Sequence, residues 1–176
     1  MPADDLGQDL AEVSREVRAA FRDEREMVEE ASEQLARKEA DLVDVVLDAM
    51  HRGQPLQLRV GPAEFVGTVV HIADDLAILN ARGAQVDVRL SALSEIRILD
   101  PVPGAGRALR RDVPACFDDC LEGLEATGRE VELGGPDLPA ATCRVMVVAR
   151  DHVVLEGRGL VRVVPLAGVG FVIRRP

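Results

Sequence analysis

Aromatic side chains are nearly missing: the 176 residues hold no Trp, no Tyr and four Phe. A core must therefore be aliphatic, and flat surfaces on which nucleic-acid bases stack are scarce. Cysteine is scarce too. Three Cys, an odd number, do not make a disulfide framework, which points to a reducing cytoplasmic setting. No apolar run reaches membrane-span length, and the acidic first residues are unlike a signal peptide. The expectation is a cytoplasmic protein with no membrane attachment. Lysine is reduced to Lys38, and every other base is Arg.

What is present is apolar residue, at 47%, and acid. The net charge is −10, and residues 1–50 hold 15 acids against 6 bases. The remainder is almost balanced, with 16 against 15. Nucleic-acid binders ordinarily carry a basic stripe, because phosphate neutralisation supplies most of their affinity. The bulk charge disfavours that role and leaves room for a local Arg patch.

From Gln8 to Met50 there is no Pro or Gly, and apolar residues recur at steps of three, four or seven. That spacing predicts one amphipathic helix or two, broken near Ser32. Leu10, Val13, Val17 and Phe21 are its candidate partner-binding face, and Gly53 its stop. The period then changes. Leu56, Leu58 and Val60 alternate, and further apolar runs follow up to Ile98, separated by Gly61-Pro62, Asp74-Asp75, Arg82-Gly83 and Ser91-Ala92. Five short strands are expected, closing into a small barrel. Residues 101–111 read as a Pro/Gly/Arg linker. Asp112 is the expected cap of a helix with Pro114 in its first turn, ended by Gly128.

The pattern after Gly128 resembles the one after Gly53. Asp75 and Asp151, Leu79 and Leu155, and Gly83 and Gly159 are each 76 apart. The expected fold is α+β: an acidic helical segment over 1–40, a helix plus five-stranded barrel over 41–100, the linker, and a second such unit over 112–176.

EFVGTVVHIADDLAIL and VRLSALSEI resemble the Sm-like, SH3-like small-barrel family, and in particular the pattern of the bacterial Sm-like RNA chaperones. The likeness covers about residues 42–99 and, more loosely, 115–174. It implies a helix feeding a bent five-stranded barrel. It also implies a nucleotide site, but the residues of that site differ here. Leu76 stands where the stacking aromatic belongs, and Leu90 and Ser91 replace the clamping Lys and His. In the second copy the turn reads Arg150-Asp151-His152, and Leu166-Ala167 fill the later site. Asn80 is one residue away from the Asn of the eukaryotic-type pattern. The layout also resembles actinobacterial proteins labelled Fis-type regulators, although no helix-turn-helix is visible.

Motifs for chemistry are few. Cys116 and Cys120, one helical turn apart, fall short of a four-ligand zinc set and read as small hydrophobes. His51 and His71 have no supporting nucleophile beyond Thr68 or Ser91 and read as a capping and a surface histidine. The glycines of 104–106 and 157–159 form no phosphate loop, and Asp74-Asp75 and Asp118-Asp119 no calcium loop. No catalytic, metal or cofactor-binding residue is assigned, and no cofactor is expected. The Arg residues are the informative polar feature. Arg89, Arg97, Arg107, Arg110, Arg111, Arg150, Arg174 and Arg175, with His152, are candidate contacts for nucleic acid or a protein partner. The expected function is a non-enzymatic interaction or assembly module with a regulatory role, whose partner is itself or another protein. The alternative is an RNA- or DNA-binding regulator of Sm-like type using local Arg patches.

Overall fold

A computed structural model describes Met27, Val28, Lys38, 40–100 and 113–175. The chain divides into two units, residues 1–40 and 41–176. In the first, Met27, Val28 and Lys38 are helical, and the exposed Met27 and Val28 lie outside any core. Leu10, Val13, Val17, Phe21 and the break weighed near Ser32 lie outside the described residues.

The second unit opens with α1 (Leu42–His51). Asp41 starts it by a reciprocal cap: Asp44 N–H donates to Asp41 Oδ1 at 3.0 Å, and Asp41 N–H to Asp44 Oδ2 at 3.1 Å. Ala40 and Asp41 are thus not helical, although the apolar spacing of the sequence runs through them. Val46 and Ala49 are the residues that α1 buries. Five strands follow: β1 (Pro55–Val60), β2 (Ala63–Ala73), β3 (Leu76–Ala81), β4 (Ala84–Arg89) and β5 (Glu95–Ile98). They coincide with the apolar runs of the sequence. A second helix, α2 (Phe117–Thr127), leads into β6 (Glu130–Gly134), β7 (Ala141–Val148), β8 (His152–Gly157), β9 (Leu160–Pro165) and β10 (Phe171–Arg174). Cys116, not Asp112, is the N-cap of α2, its Sγ accepting from Asp119 N–H at 3.5 Å, and Pro114 precedes the helix. Asp112 and the 101–111 linker lie outside the described residues.

The expectation of two tandem helix-plus-barrel units is wrong. The ten strands form one antiparallel sheet in the order β5-β1-β2-β3-β4-β10-β6-β7-β8-β9. The seam is made by β10, which pairs with β6 on one side and with β4 on the other. The cores are shared across it. Phe171 of β10 stacks edge-on against Phe65 of β2, ring centroids 4.8 Å apart, in the cluster under α1. Leu76 and Ile78 of β3 belong to the cluster under α2. The physical reason is the unpaired edge. An open edge strand exposes a row of backbone donors and acceptors, and β4 satisfies them with a strand from far along the chain.

The pairing scheme of β1–β5 recurs in β6–β10. A register shift falls between Val69 and His71 in β2 and between Val145 and Val147 in β7. Arg82-Gly83 and Arg158-Gly159 both take positive φ, as two-residue hairpin turns require. Leu90–Ala92 and Leu166–Gly168 are both single 3-10 turns.

Candidate functional site: the polar seam and the open β9 edge

Two places hold the groups with functional potential. The first is the β4–β10 seam beneath α2. Asp87 of β4 has no solvent exposure. Arg174 Nε of β10 lies 2.7 Å from Asp87 Oδ2, although its N–H points off the line and makes no hydrogen bond. Gln85 Nε2 donates to Oδ1 at 2.6 Å, and the Cys120 thiol of α2 donates to Oδ2 at 3.1 Å. Arg174 also donates to Cys120 Sγ at 2.9 Å. Burial, joined by the Asp87 charge, pushes the Cys120 thiol well above its ordinary value. Burial works against the Arg174 charge, but Asp87 and Cys120 outweigh it and hold the guanidinium more firmly protonated than usual. A thiol kept protonated is a poor nucleophile and a poor metal ligand. This cluster therefore ties α2, β4 and β10 together. It borders a cleft of about 630 Å³ that Gln85, Cys120, Thr127, Arg129 and Arg174 help to line.

Arg89 performs a second tie at the same seam. It lies 3.3 Å from Asp75 Oδ2 and 2.5 Å from Asp118 Oδ1, with its guanidinium 4.6 Å above the Phe117 ring. Phe117 N–H donates to Asp75 Oδ1 at 2.9 Å, so the start of α2 is docked on the β2–β3 turn.

The other candidate arginines are spread over different elements. Arg97 on β5 pairs with Glu95 at 2.7 Å, and that hydrogen bond holds its charge. Arg175 pairs with Glu132 at 2.7 Å. Arg150 is exposed on the β7–β8 turn, and His152 Nδ1 sits 2.7 Å from Asp151 Oδ1, lowering the Asp151 pKa. Arg107, Arg110 and Arg111 lie outside the described residues. The structure thus brings Arg89 and Arg174 to the seam, engaged with the chain's own carboxylates, and leaves Arg97 and Arg150 apart from them. Among the described residues, no cluster of three or more His, Cys, Asp and Glu could hold a metal ion, and no helix is long and apolar enough to cross a membrane.

The second place is β9, which ends the sheet and, among the described residues, pairs on one side only, with β8. Leu160, Val161 and Val163 are 66%, 67% and 65% exposed. Register aligns Val147, Val154 and Val163 across β7, β8 and β9, and the exposed Met146 adjoins them at the register shift. At the far end of the sheet, the four-residue β5 presents Ile98, 50% exposed. Sequence reasoning passed over this surface. Its signal was LVRVVP, a run with apolar residues on both alternating faces, but whether such a strand is central or terminal is not written in it.

No protein-family model matches the chain, and no curated protein matches its sequence.

Proposed function

We propose that the protein is a non-enzymatic interaction and assembly module that binds protein through β9 and the outer face of β7–β9. The observation that carries this is the exposure of Leu160, Val161 and Val163 on a sheet-end strand whose second edge has no partner among the described residues. Natural proteins blunt such edges with charge, proline or a covering element, and β9 carries a lone Arg162 and a terminal Pro165. A partner strand gains main-chain hydrogen bonds there, and the valines add apolar burial. The arginines at the seam are engaged with Asp87, Asp75 and Asp118, which weighs toward protein rather than nucleic acid as the partner.

The test is a pull-down from native lysate with tagged full-length protein and with the V161K/V163K variant, each on nuclease-treated and untreated halves. The expected result is protein retention that survives nuclease and disappears in the variant. Equal retention by the variant would remove β9 as the surface, and retention that nuclease abolishes would transfer the function to nucleic acid.

A further inference from the structure

The chain carries a template for one such partner inside itself. At the seam, β4 meets β10 antiparallel, with Phe171 opposite Val88, Val172 opposite Asp87, Ile173 opposite Val86 and Arg174 opposite Gln85. The counterpart of β4 is β9, and the counterpart of β10 is β5, each pair equal in length and offset by 76 residues. β4 and β10 are joined within the chain. β9 and β5 are the two strands left at the ends of the sheet.

We infer that a second copy of this chain adds its β5 to β9 in the register of the internal seam, so that copies join head to tail. This rests on the reading of β9 as a protein-binding edge and names its occupant.

Carrying the seam register across by 76 places Ile98 of the incoming copy opposite Val161, and Ile96 opposite Val163. Side chains directly opposite one another on a sheet share a face, so the exposed valines of β9 meet the isoleucines of β5. The same two positions at the internal seam hold the half-buried Arg174–Gln85 pair and the buried Val172–Asp87 pair, beside α2. The polar cluster inside is thus replaced by apolar side chains at the free ends. Arg97 falls opposite Arg162, with Glu95, already 2.7 Å from Arg97, as the neighbouring counter-charge.

The helices agree with the strands. Phe117 opens α2, is fully buried, and is held by Arg89 and the Asp75 carboxylate. Leu42 opens α1 at the equivalent place and is 43% exposed. The counterparts of Arg89 and Asp75 are Pro165 and Asp151, both exposed. Each free end therefore exposes groups whose equivalents are covered at the seam, and one end supplies what the other lacks. A contact between two different patches is heterologous and repeats from copy to copy, whereas a contact of β9 with β9 would stop at a dimer.

The experiment is light scattering on the full-length protein over a concentration series, with V163E and I98K. Both substitutions fall on exposed positions, and unchanged circular dichroism and melting confirm that they fold. The expected result is wild-type mass that climbs with concentration beyond a dimer, and monomers for each variant alone. An equimolar mixture of the two variants re-forms a 1:1 heterodimer, because I98K retains an intact β9 and V163E an intact β5. A wild-type monomer at every concentration, association that I98K leaves unchanged, or no heterodimer on mixing would overturn the inference. If the wild type is monomeric while lysate capture still depends on Val161 and Val163, the interaction reading stands and its occupant is another protein. If both fail, the reading falls too.

Discussion

Asp87 and Arg174 meet across the β4–β10 seam, with Nε 2.7 Å from the Oδ2 of a carboxylate that solvent does not reach. Removing Arg174 leaves the Asp87 charge buried and uncompensated, which costs about 3–5 kcal/mol. Urea denaturation of Arg174→Met is expected to show a loss of that size. The double variant D87L/R174M, which removes both charges, is expected to recover more than half of it. Losses that simply add would show that the two groups do not act as a pair.

Arg89 serves two carboxylates and an aromatic face at once. Lysine keeps the charge but loses the planar fork and the stacking. Arg89→Lys is expected to destabilise by about 1–2 kcal/mol and Arg89→Ala by about 3 kcal/mol. Thermal melts check the order; a lysine variant as stable as wild type would show that only the charge matters.

Gly135 follows β6 where the chain passes close to Gly168. A Cβ on Gly135 would lie 1.8 Å from the Gly168 carbonyl oxygen. Gly135→Ala is expected to cost about 3 kcal/mol through forced separation of the backbones. Gly123, inside α2, has nothing within 4 Å of such a Cβ. Gly123→Ala is expected to stabilise by about 1 kcal/mol, the helix-propensity difference. Paired denaturation curves of the two variants measure both effects, which are opposite in sign.

The Cys120 thiol is raised from its ordinary value of 9.0 by burial and by the neighbouring Asp87 charge. Its contribution to stability is fully present below pH 9 and declines as pH rises toward the folded value, because the unfolded chain releases the proton first. Stability measured between pH 8 and pH 11 is expected to fall, and Cys120→Ser, which keeps a donor for Asp87, is expected to flatten the slope. In native protein, Cys116 is expected to react with iodoacetamide well before the buried Cys120 and Cys143. Mass-mapped alkylation checks that order.

The strands themselves were legible because alternation and turn chemistry are local. Leu56, Leu58 and Val60 alternate in the chain and all three are buried in β1. Arg82-Gly83 and Arg158-Gly159 took the positive φ their hairpins need. The caps were harder to see. The apolar spacing of the sequence runs on through Asp41, and only the reciprocal bonds with Asp44 mark the start of α1. Of the polar residues singled out, Arg89 and Arg174 were visible as charges, but their carboxylate partners lie on other elements, so composition could not show that they are engaged. Asp87 gave no sign at all. In AQVDVR it occupies the place of an outward residue, and it is the α2 helix above it that buries it.

By itself, the amino-acid order determined the ten strands, the two helices leading into them, the 76-residue correspondence and the aliphatic cores, since each depends on residues within a few positions of one another. Only the tertiary structure decided that β10 joins β4, which turns two expected barrels into one sheet, buries Asp87 against Arg174 and leaves β5 and β9 at its ends. Strand partners far apart in sequence are chosen by which edges remain unsatisfied once the local hairpins have formed, and that is a property of the assembled backbone rather than of any segment.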